Sequence, residues 1–129
     1  MVITESTLTL TLEGKSRDVR AVRAEAREFL ATNPWASAQE DVLLVVSELV
    51  TNAVLHGSGP VTVTLNPAPP DLIITVTDRG GADPARRHPD GDDEYGRGLE
   101  IVEQLSTSWH VVHAIGFKTI VVVVRPTAG

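Results

Sequence analysis

The chain has 129 residues, a formal net charge of −6 and no cysteine. It is long enough for one domain that buries roughly two thirds of its unfolded surface; it excludes disulfide frameworks and thiolate metal sites, and needs no oxidising compartment. The 17 acidic residues outnumber the 11 Lys and Arg, and aromatics are few, which disfavours direct nucleic-acid binding and leaves solubility as the main reading of the acid excess.

The first ten residues, MVITESTLTL, lack a basic start and an apolar block, so no signal peptide is expected. The longest apolar runs, Val42 to Val46 and Ile120 to Val124, fall far short of the ~20 residues of a membrane helix. The expectation is a cytoplasmic protein with no membrane contact.

Ser6 to Leu12 alternates, with Leu8, Leu10 and Leu12 on one side, and predicts a strand. From Arg17 to Leu30 the period becomes helical, with Val19, Val22, Ala26, Phe29 and Leu30 on one face and Ser16 as N-cap; Asn33-Pro34 ends it. A second helix follows Ser37-Ala-Gln-Glu40, which has the form of a capping box. It runs to His56, and Gly57 supplies the stop.

Val61, Val63 and Leu65 alternate as a second strand, Asn66 to Pro70 is a turn, and Leu72 to Thr77 is a third, apolar strand. Arg79 to Arg97 is then rich in Gly, Pro and charge, and so long an unstructured connection reads as a working loop. A helix from about Gly98 to Leu105 and two strands, Trp109 to Ile115 and Phe117 to Val124, close the chain. Adjacent strands without crossover helices favour antiparallel pairing. The expected fold is an α/β two-layer sandwich: a mixed, mostly antiparallel sheet covered on one face by helices, in a single domain over residues 1–129.

The second helix carries a polar line through its core-forming pattern: Glu48, Asn52 and His56 stand four positions apart. A side-chain amide oxygen suits a hard cation such as Mg²⁺. A carboxylate one turn away could hold a water of that cation's shell or accept a hydroxyl proton. Local capping or solvent exposure would equally account for both residues, and His56 fits the negative end of the helix dipole. Asp78 ends the third strand, where it could accept from an exocyclic amine, and Gly80 lets a flat ring approach; an ordinary Asp and Gly turn is the plainer reading. Gly96-Arg97-Gly98 opens a helix, where free N–H groups bind phosphate and Arg97 could add charge.

Taken together, in this order, these segments resemble the ATP-binding domain shared by the gyrase B subunit, an ATP-dependent heat-shock chaperone, histidine kinases and the mismatch-repair protein MutL. Within that superfamily, with its Bergerat-type fold, the chain looks most like the anti-sigma-factor serine/threonine kinases. Ser47 to Gly57, SELVTNAVLHG, is similar to the family's N box; Val76-Thr-Asp-Arg-Gly80 to its first glycine box; Gly96-Arg-Gly-Leu-Glu-Ile-Val102 to its second. Lys118-Thr119 lies where the family has a Thr on a late strand near the adenine.

The resemblance implies ATP and Mg²⁺ as cofactors. Asn52 would ligate Mg²⁺, Glu48 would be the general base, and Asp78 would bind the adenine amino group with Gly80 beside the ring. Thr119 would support Asp78 or a water. Gly96, Arg97, Gly98 and Leu99 would complete the nucleotide site, and residues 81–97 would form a lid. Two features depart from the pattern: Ala82 stands where the longer glycine box has another glycine, and the lid carries the acids Asp90, Asp92, Asp93 and Glu94 after Arg86 and Arg87.

The function so implied is an anti-sigma factor that binds a sigma factor and phosphorylates an anti-anti-sigma antagonist on Ser or Thr, as a possible homodimer. The alternative is a non-catalytic module whose nucleotide only sets the conformation that grips a partner. With only Met1 to Ser16 ahead of the first helix, the ATPase end of a histidine kinase would need its phosphoacceptor on another chain.

Overall fold

A computed structural model describes residues 7–31, 36–80 and 100–125. The expectations for Ser6, Asn33-Pro34, the 81–97 lid and Gly96 to Leu99 lie outside the described residues.

The elements follow the order β1 (Leu8–Leu12), α1 (Asp18–Ala31), a 3₁₀ turn (Ala36–Ala38), α2 (Gln39–His56), β2 (Val61–Ala68), β3 (Asp71–Asp78), β4 (Ser108–Ala114) and β5 (Phe117–Val124). Residues 100–105 are helical. The five strands form one sheet in the order β1-β2-β3-β5-β4. All four pairings among the described residues are antiparallel, within the α/β sandwich expected.

Alternation sets which side of the sheet carries the core. Leu65, Val63 and Val61 of β2 stand opposite Leu8, Leu10 and Leu12 of β1. On β3 and β5 the same face presents Leu72, Ile74, Val76, Ile120, Val122 and Val124, all buried. Val22, Ala26 and Leu30 of α1 and Val42, Leu43, Val46, Leu49 and Val50 of α2 join them in one cluster. Each fully buried Leu or Ile contributes ~1.5–3 kcal/mol. The opposite face is threonine-rich: Thr64 and Thr75 are hydrogen-bonded through their hydroxyls, as are Thr77 and Thr119 at 2.8 Å. Thr is at home there because its branched side chain packs on a half-buried pleat.

Both helix starts are tied to neighbouring elements. At α1 the carboxylate of Asp18 accepts hydrogen bonds from the backbone N–H groups of Gly14 and Lys15, both at 2.8 Å, tying the helix back to the end of β1. At α2 Ser37 lies within the 3₁₀ turn and Ala38 occupies the N-cap position, where it makes no side-chain cap bond. The Gln39 amide instead donates to the carbonyl of Arg27 in α1, at 3.0 Å. Gly57 does end α2, its N–H bonded to the carbonyl of Ala53 at 2.9 Å. The predicted turn at Asn66 to Pro70 shrinks to Pro69-Pro70, because β2 continues to Ala68 in register with Asp71. At the β4–β5 turn Gly116 has φ 80°, the left-handed region where glycine costs nothing.

Candidate functional site

The C-terminal end of α2 meets the end of β3, which faces the start of β5, around a buried carboxylate. Asn52, Asp78 and Lys118 are three of the four buried polar or charged residues among those described, at 8%, 2% and 1% exposure. Such groups are costly to bury unless paired.

Asp78 is the last residue of β3, and the period of the strand turns it to the core face. One carboxylate oxygen, Oδ1, accepts a hydrogen bond from the backbone N–H of Gly80. The other, Oδ2, lies 3.7 Å from Nζ of Lys118. The end of α2 backs directly onto this carboxylate: a Cβ added at Gly57 would stand 2.6 Å from both Cγ and Oδ1 of Asp78. A Cβ at Gly80 would meet Asp78 Oδ1 and the Cα of Gly57, each at 2.7 Å. The two glycines therefore leave room for one carboxylate and nothing more between helix and strand. Gly80 holds Asp78 through its N–H and packs against Gly57.

Lys118 faces Asp78 directly across the β3–β5 pairing. The two charges are buried as a pair, which limits the penalty that either would pay alone. At 3.7 Å their contact is an ion pair beyond good hydrogen-bond length. Lys118 Nζ has no hydrogen-bond partner, and neither does Nδ2 or Oδ1 of Asn52. Orphaned buried groups cost about 1–3 kcal/mol each. The fold bears that cost at both residues, on groups able to donate to or accept from a ligand.

Glu48 lies one turn before Asn52 on the same helix and is half-buried. Thr119 requires a correction. It was expected to support Asp78 or a water by the base; its hydroxyl stands on the face of the sheet opposite to Asp78, paired with that of Thr77. Lys118 takes the inward place. The alternation of β5 contains that signal: counting back from Val124, Val122 and Ile120 puts 118 inward and 119 outward. Gly57 was read only as a helix stop, and its close approach to Asp78 had no signal in the sequence.

Among the described residues no group of three or more His, Asp or Glu side chains converges as a metal site. A cation here would be shared with oxygens of a ligand, as Mg²⁺ is with phosphates. The Asn52 amide, buried and unpartnered, fits one position in such a shell. Among the described residues no helix is long and apolar enough to cross a membrane.

Residues 12–124 match the family described as the histidine kinase-like ATPase domain. Among solved structures, the chain is similar to that of the RsbU and RsbW domains of Rv1364c from Mycobacterium tuberculosis, with 27% identity and a TM-score of 0.71 over 93% of this chain. The match covers 32% of that longer chain, so this chain spans about a third of its neighbour's length. A blue-light activated histidine kinase domain from Erythrobacter litoralis matches 70% of this chain and 45% of its own, at 20% identity and a TM-score of 0.53. The Acinetobacter baumannii histidine kinase AdeS matches 94% of this chain and 68% of its own, at 10% identity and a TM-score of 0.55. The last two likenesses concern the fold alone.

Proposed function

The chain belongs to the histidine kinase-like ATPase domain family, and from that premise we propose that it is an ATP- and Mg²⁺-dependent serine/threonine protein kinase acting as an anti-sigma factor. Its proposed partners are a sigma factor, which it binds, and an anti-anti-sigma protein, which it phosphorylates. The likeness to a structure containing an RsbW domain and the motif resemblance support this reading. The single observation that carries the nucleotide site is that two of its buried polar side chains, Asn52 and Lys118, lack hydrogen-bond partners.

In this proposal Asp78 Oδ2 accepts a hydrogen bond from the exocyclic amine of adenine. Gly80 fixes the carboxylate by occupying Oδ1. Asn52 would hold Mg²⁺ through its carbonyl oxygen, and the ion would supply charge neutralisation at the phosphates. Glu48 takes the proton of the acceptor hydroxyl as that oxygen forms its bond to the γ-phosphorus and ADP leaves. Phosphoryl transfer asks chiefly for positioning and charge neutralisation, and Glu48 and Asn52 on one rigid helix provide a fixed spacing for both. Gly96, Arg97, Gly98 and Leu99 are assigned to the phosphates by their motif.

The test is calorimetric titration of the protein with ATP, in Mg²⁺ and in EDTA, for the wild type and Asn52→Ala. Mg²⁺-dependent binding that the variant loses is the expected result. Absence of binding to the wild type in both conditions would overturn the nucleotide reading.

A further inference from the structure

Lys118 has no place in the roles assigned so far, yet it is the most deeply buried charged side chain described, at 1% exposure. Its ammonium can donate three hydrogen bonds, and it makes none. The neighbouring Asp78 carboxylate has one oxygen, Oδ1, engaged by Gly80 and turns the other, Oδ2, towards Lys118. The cluster therefore offers one acceptor and one donor side by side, 3.7 Å apart. That is too long for a mutual hydrogen bond. It suits two parallel hydrogen bonds to neighbouring atoms on the edge of a ring.

We propose that Lys118 reads the base of the nucleotide together with Asp78, its Nζ donating to the ring nitrogen N1 of adenine while Oδ2 of Asp78 accepts from the amine at N6. The proposal rests on the nucleotide reading above and adds a specificity residue to it. Adenine presents a donor and an acceptor next to each other on this edge, which the pair complements in order. Hypoxanthine presents them reversed. Guanine offers an acceptor and two donors, and its two donors would need both carboxylate oxygens, of which Gly80 already holds one. The strand register makes the contact possible: Asp78 and Lys118 are direct partners across β3 and β5.

The experiment compares ADP with its 1-deaza analogue, in which N1 is replaced by C–H, by calorimetry on the wild type and on Lys118→Met. A hydrogen bond from a charged donor corresponds to about tenfold to a hundredfold in affinity. The wild type is expected to prefer ADP by that factor, and the variant to bind both ligands equally weakly. Lys118→Met leaves the Asp78 charge buried without its partner, which threatens folding. If the variant does not fold, the ¹⁵Nζ resonance of Lys118 in the wild type decides: it moves on adding ADP and stays with the 1-deaza analogue. ADP binding with no dependence on N1, a preference that survives in Lys118→Met, or an Nζ resonance that ADP leaves unmoved would each overturn this inference while leaving the nucleotide site standing. Failure of the wild type to bind any adenine nucleotide would overturn both.

Discussion

Gly57 and Asp78 are in backbone-to-carboxylate contact: the end of α2 presses on the end of β3 so closely that a single methyl at Gly57 would stand 2.6 Å from Asp78 Oδ1. Gly57 has φ −98°, which any residue can adopt, so the requirement for glycine here is space and not backbone conformation. Gly116 is the converse, with φ 80° and nothing within 4 Å of an added Cβ.

These two glycines should therefore fail in different ways. Gly57→Ala displaces the Asp78 carboxylate, costs about 1–3 kcal/mol through overpacking and weakens ADP binding. Gly116→Ala costs about 1–2 kcal/mol from the left-handed backbone alone and leaves binding unchanged. Urea unfolding and calorimetry on both variants check this. Equal losses of binding in the two would show that the contact at Asp78 is not what positions the base.

Asn52 should trade stability against function. Its amide is buried with both polar atoms unpartnered. Asn52→Ala removes that cost, so the nucleotide-free protein is expected to be no less stable, and more stable by up to about 1 kcal/mol. The same change removes Mg²⁺-dependent ATP binding. Thermal unfolding without nucleotide is the check, and a marked destabilisation would mean that Asn52 serves the core and not a ligand.

Glu48 separates the two functional readings. Glu48→Gln keeps shape and hydrogen bonding but cannot take up a proton at neutral pH. If Glu48 is the general base, ATP binding persists and transfer to a Ser or Thr acceptor falls by about 10²- to 10⁴-fold. Radiolabelled γ-phosphate transfer, measured alongside ATP binding, reports both quantities. Transfer at the wild-type rate in the variant would remove the assignment, and absence of transfer in the wild type against its partner would favour the non-catalytic module.

At the other end of β3, Arg125 holds Asp71. Its Nε donates to Oδ1 at 2.9 Å, and the Asp71 carboxyl lies below its ordinary 3.8, chiefly through this hydrogen bond, with desolvation opposing it and the nearby positive charge adding to it. A carboxyl with a depressed folded pKa contributes stability above its unfolded value and loses it as the pH falls through the folded one. The contribution of the pair is thus present at neutral pH and disappears in acid below 3.8. An NMR titration should find Asp71 returning to its ordinary range in Arg125→Ala. The pair is exposed, so global stability at pH 7 should hardly change.

Much of this was legible in the sequence because it is written in local period. The alternation of Val61, Val63 and Leu65, the helical spacing of Val22, Ala26 and Leu30, and the unbroken apolar run of β5 each depend on near neighbours in the chain. So do the Glu48–Asn52 spacing and the Asp78-Arg79-Gly80 strand end. The side to which Thr119 points was also local, since strand period alone turns it away from Lys118 and Ile120.

What only the tertiary structure decided was which groups share a buried volume. The register between β3 and β5 sets Lys118 against Asp78, and the packing of α2 on the sheet sets Gly57 against the same carboxylate. These contacts join segments distant in sequence, and their chemistry comes from desolvation. An Asp, a Lys and an Asn are ordinary surface residues until the fold removes water from around them. Only then do a buried ion pair, whose ammonium makes no hydrogen bond, and an unpartnered amide become groups poised to meet a ligand.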